Sequence, residues 1–226
     1  MIMSAFLITG CSNSVDTATG GTETKNTETE TKAEAAENTV QEVPAVTVKP
    51  LPDTTMENLT DAILSVSLAE GDAYVDDTGI MQMDVKIYTY DKYDMVDISA
   101  LKAGDTIVTH AGEVEVTSVD RSPAGLIFIN GGQEEGGFDL FTDESGIFFE
   151  IGFNDVKNWY EVGEATIRVS ADFEGRDNSN PEQGEVVLYP GSFLIGEVTD
   201  YNFTPYNTTI RVENGQIVEM NRMYTP

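Results

Sequence analysis

The chain has 226 residues, 40% of them hydrophobic, which suffices for one domain or two small subdomains and excludes a large multidomain enzyme. Forty acidic against 12 basic residues give a formal net charge of −28, which excludes a nucleic-acid partner and favours a soluble, monomeric exterior. A single cysteine excludes an intrachain disulfide and a cysteine-based zinc cluster.

The amino terminus is an apolar run that ends on small residues immediately before the cysteine. It reads Met-Ile-Met-Ser-Ala-Phe-Leu-Ile-Thr-Gly-Cys over residues 1–11. Ile8-Thr9-Gly10-Cys11 resembles the lipobox of bacterial surface lipoproteins, of the Gram-positive kind. The resemblance implies a lipid on Cys11 that anchors the mature chain outside the cytoplasm. The run is too short for a transmembrane helix, which needs about 20 residues, and its lack of Lys or Arg predicts a start upstream.

Residues 12–50 are predicted to be a disordered acidic stalk rich in Thr and Glu. The segment has no aromatic residue and cannot bury enough apolar area to offset the entropy lost on ordering. Residues 43–52 contain three prolines, which favour extended backbone. We therefore expect residues 51–226 to form the extracytoplasmic domain.

The predicted domain begins with a short helix and continues almost entirely as strands. Thr54 and Glu57 have the spacing of a capping box, after which the alternation over residues 64–68 favours a strand. Apolar and polar residues alternate over 81–90 and again over 165–173, as in strands with one buried face. Shorter strands are predicted at 126–129, 138–141, 147–151, 186–189 and 193–198.

Two hairpins have a register that follows from their residues. A three-residue loop 213–215 would place Ile210 opposite Val218, whereas a two-residue Asn-Gly loop would place Ile210 opposite Glu219. A three-residue loop 110–112 would likewise place Val108 opposite Val114. The three-residue loops are preferred because they pair apolar residues.

The fold class that follows is all-β, mainly antiparallel, as a sandwich or a small barrel with up to two subdomains. Residues 101–107, with the hairpin after them, resemble the entry into a small SH3-like or Hint-like barrel. No Hint-type nucleophile accompanies them, so the resemblance implies no chemistry.

Three tyrosines are the candidate ligand-binding residues. Tyr88, Tyr90 and Tyr93 are predicted to form an exposed aromatic platform that stacks on sugar rings or on a partner protein. Packing of the same side chains on the outer face of a sheet is the alternative. Trp159 and Tyr160 are predicted to lie in the core.

Calcium is the one cofactor that the sequence suggests, and the alternative is no cofactor at all. The acidic and amide side chains crowded into one predicted loop offer the oxygen ligands that calcium takes, although they lack EF-hand spacing. They are Asp172, Asp177, Asn178, Asn180 and Glu182. A solvated acidic loop is the simpler interpretation.

The sequence carries no nucleophile elbow, phosphate loop or paired-histidine metal motif. Its single histidine, His110, is interpreted as a solvated turn residue. The leading hypothesis is a non-catalytic, membrane-anchored lipoprotein that binds a glycan or an envelope protein. The alternatives are a small envelope hydrolase that uses carboxylates and a purely structural spacer.

Overall fold

The computed structural model describes residues 44–152 and 156–225. In these ranges the chain is mostly β, which confirms the predicted fold class, and it forms fifteen strands and two short α-helices. The strands are β1 Thr47–Val48, β2 Ala62–Ser67, β3 Ala73–Val75, β4 Met81–Thr89, β5 Lys92–Tyr93, β6 Thr106–Thr109, β7 Gly112–Glu115, β8 Val119–Arg121, β9 Ile127–Ile129, β10 Phe138–Thr142, β11 Phe148–Ile151, β12 Tyr160–Asn178, β13 Val186–Leu188, β14 Thr208–Glu213 and β15 Gln216–Met223. The helices are α1 Met95–Ala100 and α2 Pro190–Leu194.

Five of these strands close into a small barrel. β2 pairs with β4, β4 with β12, β15 with β14 and β14 with β2, all antiparallel, and a parallel pairing of β12 with β15 completes the ring. If the five strands are numbered 1 to 5 along the chain, their order around the ring is 1-2-3-5-4, that is β2, β4, β12, β15 and β14. This order, with a parallel contact between the third and fifth strands, is the connectivity of OB-type barrels. The barrel is therefore the form that the predicted all-β class takes here.

The long strand β12 makes this closure possible. It has 19 residues, so its first half pairs with β4 along Tyr160–Arg168 and its second half pairs with β15 along Arg168–Asn178. The side chains that point inward fill the barrel. Those of Val66, Met83 and Ile217 have no exposed surface.

The alternation read from the sequence is confirmed in both long strands. In β4, Met83, Val85 and Ile87 are buried while Asp84 and Lys86 are exposed. In β12 the same pattern holds at 167, 169 and 173 but fails at 171, where the alanine is exposed. The register of β12 against β15 shifts between residues 169 and 174, and such an irregularity interrupts the two-residue period.

A second β unit is inserted between barrel strands β4 and β12, at residues 90–159. It contains α1, the five-stranded sheet β5-β11-β10-β9-β8 and the hairpin β6–β7, which β1 extends to three strands. Its own core includes Tyr93, Ile98, Ile107, Ile129 and Leu140. The hairpin predicted to enter an SH3-like or Hint-like barrel thus lies in a three-stranded sheet.

The insert leaves the barrel and returns to it at one point, because Thr89 and Tyr160 are paired across β4 and β12. The chain before the barrel also joins the insert. Val48 in β1 is buried in the insert core and pairs with Ile107 in β6. The domain boundary predicted at residue 50 is therefore too late by a few residues. The rest of the predicted stalk, residues 12–43, lies outside the described residues.

The predicted register of the last hairpin is wrong. Asn214-Gly215 forms a two-residue turn with φ of 50° and 72°, and Val212 pairs with Ile217. The register then shifts at Val218, so that Ile210 faces Met220 and not the predicted Val218. The β-bulge thus gives Ile210 an apolar partner other than the one that the three-residue loop predicts.

The predicted register of the other hairpin is wrong for the same reason, because its turn also has two residues and not three. His110 and Ala111 form a two-residue turn, and Ile107, which is fully buried, pairs with Val114. Val108 faces Glu113 and not Val114. The burial of Ile107 decides this register, because it directs the odd-numbered side chains of β6 into the insert core.

Two local structures near the barrel differ from their predicted form. The strand predicted at 193–198 is wrong, because helix α2, which begins at Pro190, extends into that segment. The Tyr189 N–H donates to Ser192 Oγ at 3.1 Å and so caps the first turn of the helix. The segment predicted as the first short helix contains a 3-10 turn, Thr55–Glu57. Asp53, not Thr54, accepts the N–H at its start.

Candidate functional site

The most distinctive polar cluster in the described chain lies where the insert joins the barrel. Asp91 lies two residues after the end of barrel strand β4, and Tyr160 begins strand β12 on the return. His110 occupies the turn between β6 and β7, and Glu150 lies on β11. Four separate elements therefore bring these side chains together. We call Asp91, His110, Glu150 and Tyr160 the junction cluster.

Asp91 is the centre of the junction cluster and is only 3% exposed. Its Oδ2 accepts the backbone N–H of His110 at 2.6 Å and lies 3.1 Å from His110 Nδ1. Its Oδ1 accepts the hydroxyl of Tyr160 at 3.1 Å. These bonds satisfy a carboxylate that would otherwise be costly to bury, and they fix its orientation.

His110 is in the predicted turn, but it is not simply solvated. Its ring stacks on the ring of Tyr160, with centroids 4.3 Å apart and planes 16° apart, and its side chain is 27% exposed. With Nδ1 directed at Asp91, the imidazole is held as it is in an aspartate–histidine pair. No serine or threonine hydroxyl in the described chain bonds to this ring, so the geometry is not that of a nucleophilic triad.

Glu150 completes the cluster from the insert side. Its Oε1 accepts the side-chain N–H of Asn158 at 2.7 Å. Burial raises the pKa of Glu150, the Asn158 bond and the nearby imidazole oppose this shift, and Asp91 adds to it. A carboxyl group of this kind sits in an environment that disfavours its negative charge.

Tyr160, in the cluster, and Tyr93, beside it, lie in the same environment. Burial, followed by the negative charge of Asp91, raises the pKa of Tyr160 to about 12. The pKa of Tyr93 is also raised, chiefly by burial and then by the charge of Asp91. Both hydroxyls therefore remain protonated donors at neutral pH.

The junction cluster has the composition of a metal site. One ring nitrogen of His110 and one oxygen from each of Asp91 and Glu150 all lie within 4.8 Å of one another. Within residues 44–152 and 156–225, this is the one group of three His, Cys, Asp or Glu side chains close enough to hold a metal ion. Hydrolysis by a carboxylate pair stays a prediction, for which Asp91 and Glu150 are the pair that the fold brings together.

Sequence reasoning missed Asp91 and Glu150 altogether. The sole signal was that His110 is the single histidine in the chain. Neither carboxylate stands out among forty acidic residues, and the fold brings Asp91 to Tyr160 from a sequence distance of 69 residues.

The structure does not assemble the predicted platform of three tyrosines. Tyr93 is fully buried, and its hydroxyl donates to the carbonyl of Val108 at 3.0 Å. Tyr90 is half-buried between Lys157, whose Nζ donates to its hydroxyl at 2.9 Å, and the ring of Trp159. The expectation of an exposed platform is wrong because the chain turns inward after β4.

Tyr88 alone keeps a position on the outer face of β4. It is partly exposed, and its hydroxyl is 3.2 Å from Ser67 Oγ on β2. The prediction that Tyr88 contacts a ligand remains open.

The predicted calcium loop is not one loop. Asp172 and Asp177 both lie on strand β12, five residues and so about 16 Å apart in an extended chain. Asp177 is paired with Arg222, and Asn178 donates to Glu185. Asn180 bonds locally to the N–H of Glu182, whose side chain is exposed. The sequence placed these residues together because it did not show how far β12 extends.

A separate feature lies on the outer face of the barrel. A shallow cavity of about 400 Å³ runs across β4 and β12 and reaches the turn before β3. It is lined chiefly by Asp72, Asp84, Lys86, Glu164 and Thr166. We call these residues the barrel face.

The described chain is thus a five-stranded barrel of OB-type connectivity with an inserted β subdomain. It carries the junction cluster and the barrel face. No protein-family model, curated protein or solved structure matches the chain. No helix among the described residues has both the length and the apolar character to cross a bilayer. The predicted lipidation site, Cys11, lies outside the described residues.

Proposed function

We propose that this protein is a lipid-anchored extracytoplasmic binding protein, without a catalytic role, whose barrel face binds a glycan. The observation that carries the proposal is the shallow polar cavity on the outer side of β4 and β12. A glycan needs an open surface with many hydrogen-bonding groups and some aromatic area. The barrel face supplies the polar groups, and two tyrosines beside it supply the aromatic area.

The polar groups of the barrel face are held in defined positions. Asp84 accepts the hydroxyl of Thr166 at 2.6 Å and that of Tyr74 at 3.4 Å. Lys86 lies 3.3 Å from both Glu161 and Glu164. Fixed carboxylates and an ammonium group can accept from and donate to sugar hydroxyls without further ordering, which lowers the entropic cost of binding.

Aromatic rings border the same surface. Tyr74, on β3, is 36% exposed, and Tyr88 lies farther along β4 on the same outward side as Asp84 and Lys86. An aromatic ring can pack against the apolar face of a sugar while its hydroxyl stays in water. Tyr88 thereby keeps the role that the sequence suggested for it.

The fold supports this choice by analogy. OB-type barrels bind oligonucleotides and oligosaccharides on the face of their second and third strands and at the loop after the first strand. Here those strands are β4 and β12, and Asp72 belongs to the connection after β2. A net charge of −28 opposes an oligonucleotide, so an oligosaccharide is the ligand that suits this chain.

The anchor part of the proposal rests on the sequence. Cys11 follows an apolar run and precedes a polar segment that contains no aromatic residue. A lipid on Cys11 would hold the barrel near the outer surface of a membrane, where envelope glycans are found.

A glycan screen tests the binding part. We expect at least one soluble peptidoglycan fragment or neutral polysaccharide to raise the melting temperature and to bind in calorimetry. Asp84→Asn should weaken binding by roughly tenfold, because a charged acceptor of sugar hydroxyls contributes more than a neutral one. Asp120→Asn is the matched control, since Asp120 is exposed on β8 in the insert and should bind as wild type does.

Equal affinity of Asp84→Asn and wild type would place the binding surface elsewhere. If no glycan binds and the protein captures an envelope protein instead, the ligand is a protein and not a glycan.

Metabolic labelling with a fatty acid tests the anchor. Wild type should carry the label and fractionate with membranes, whereas Cys11→Ser should do neither. Unlabelled wild type that fractionates like Cys11→Ser would overturn the anchor and leave the glycan proposal standing.

A further inference from the structure

We propose that Asp91, His110 and Glu150 form a binding site for one divalent transition-metal ion of the zinc class. The inference is independent of the glycan proposal, because the junction cluster and the barrel face share no residue.

The geometry comes close to a first coordination shell. One donor atom from each residue lies within 4.8 Å of the other two. In a tetrahedral zinc site, bonds of about 2.0–2.2 Å place neighbouring donors about 3.5 Å apart. The ligands thus need to approach one another by at most about 1.3 Å, which a rotamer adjustment of Glu150 from β11 can supply.

The charge of the cluster also calls for a cation. Asp91 is almost fully buried, and the basic side chain that contacts it in the described chain is that of His110. Glu150 makes no ion pair with a lysine or arginine of the described chain; its side chain is bonded to the neutral amide of Asn158. Two carboxylates that share one imidazole leave negative charge in a partly desolvated place, and a bound cation neutralises it.

Lysines that lie near the cluster are directed elsewhere. Lys157 Nζ donates to the Tyr90 hydroxyl and lies 4.3 Å from the centre of that ring. Lys92 Nζ lies 4.9 Å from the same ring centre. These ammonium groups pack on Tyr90, so the centre of the junction cluster is left to a different cation.

The candidate ligands are oriented by a second ring of hydrogen bonds, as metal ligands usually are. Tyr160 donates to Asp91 Oδ1, and Asn158 donates to Glu150 Oε1. Stacking on Tyr160 sets the plane of the His110 ring. These hydrogen bonds and the stacking hold the candidate ligands in place, so binding requires little reorganisation.

The donor set selects the class of ion. Calcium and magnesium prefer shells made entirely of oxygen, whereas an imidazole nitrogen together with carboxylates suits zinc, manganese or iron. Three protein ligands leave a fourth position of a tetrahedral ion for water or for a bound molecule. The ion would also tie the end of β4 to the β6–β7 turn and to β11, and so fasten the insert to the barrel.

Calorimetry on the chelator-treated full chain tests the proposal, with ZnCl₂ as the titrant and millimolar MgCl₂ in the buffer. The magnesium saturates non-specific sites on this acidic protein. We expect one zinc ion per chain, and we expect Co²⁺ to give the visible absorption of a four-coordinate site.

Two variants remove single ligands with little change of shape. His110→Phe keeps a ring that stacks on Tyr160, and Glu150→Gln keeps an acceptor for Asn158. Each should weaken zinc binding by roughly tenfold or more and abolish the cobalt spectrum. Glu144→Gln is the matched control, because it removes one exposed carboxylate outside the cluster and should bind zinc as wild type does.

The proposal is overturned if wild type binds no zinc in the presence of magnesium, or if either ligand variant binds as tightly as wild type. Circular dichroism checks the folding of both variants. If His110→Phe does not fold, Glu150→Gln decides the question alone.

Discussion

Arg222 brings a positive charge into the end of the barrel. Its side chain is 2% exposed and contacts Asp177 at 3.1 Å and Asp200 at 2.7 Å. Its guanidinium group also lies 4.5 Å from the ring centre of Phe203. The hydrogen bond from Arg222 lowers the pKa of Asp200, so Asp200 is charged at neutral pH.

Replacing this arginine by methionine tests how much the buried charge contributes. Arg222→Met keeps most of the volume but leaves Asp177 without its partner, so we expect the free energy of unfolding to fall by about 2–4 kcal/mol. Arg176→Met, at an ion pair with Glu174 that is half exposed, should cost at most about 1 kcal/mol. Urea unfolding measures both, and similar losses would show that the burial of Arg222 adds nothing.

Tyr160 makes the junction cluster sensitive to alkaline pH. Its pKa of about 12 in the folded protein lies above the ordinary value near 10, so the folded state holds this proton more tightly than the unfolded state does. The stabilisation is complete below pH 10 and is lost as the pH rises toward 12. Urea unfolding at pH 9, 10.5 and 11.5, with the pH held to within about 0.1 unit, should show this decline in the free energy of unfolding.

The variant Tyr160→Phe should unfold with a shallower decline over that range, because the titrating group is gone. Tyr189→Phe serves as the control, since Tyr189 is 61% exposed and should decline as wild type does. If all three proteins lose stability in parallel, Tyr160 is not the source of the pH dependence.

Among the elements, the hairpin of β9 and β10 depends on one glycine. A Cβ added at Gly137 would lie 1.9 Å from the carbonyl oxygen of Ile129, which belongs to the paired strand. Gly137→Ala must therefore push the two strands apart, and we expect a loss of about 1–3 kcal/mol.

Gly191, in helix α2, gives the opposite expectation. A Cβ there meets no atom within 4 Å, so Gly191→Ala should be neutral or stabilising by up to about 1 kcal/mol. Thermal melting of the two variants measures the contrast. If Gly137→Ala melts at the same temperature as wild type, the hairpin accommodates the added Cβ without a loss of stability.

The strands could be predicted from the sequence wherever burial follows residue parity. In β4 the buried Met83, Val85 and Ile87 alternate with polar residues, because one face of a barrel strand is always inside. The registers could not be predicted, because a bulge at Val218 moves the partner of Ile210 by one residue, from Glu219 in a regular ladder to Met220. Nothing in the local sequence marks such a bulge.

The candidate site was even less accessible to prediction. Asp91 and His110 are 19 residues apart, and their contact requires the insert to fold back on the end of β4. A carboxylate among forty acquires its role from tertiary neighbours, here His110 and Tyr160, and not from its sequence context.

At the scale of the whole molecule, the insert is expected to be separable from the barrel. Thr89 and Tyr160 face each other as paired residues, so a two-residue turn can join them. A chain in which Asn-Gly replaces residues 90–159 should fold, unfold cooperatively in urea and keep the barrel face with its proposed glycan binding, while losing the proposed metal site.

The control for this deletion is Met83→Asp in the shortened chain. Met83 is fully buried in the barrel, so the charge should abolish the transition. A shortened chain without a cooperative transition would show that the barrel depends on the insert.

The pairing of Thr89 with Tyr160 also sets the order in which the intact chain folds. Closing a flexible loop of about 70 residues costs roughly 4 kcal/mol of entropy before β4 and β12 gain their contacts. The strand pairs inside the insert, such as β6 with β7 and β9 with β10, span much shorter stretches of chain and form faster. An insert that folds first brings the two barrel strands together, so mutations in its core should slow the closure of a barrel that they do not touch.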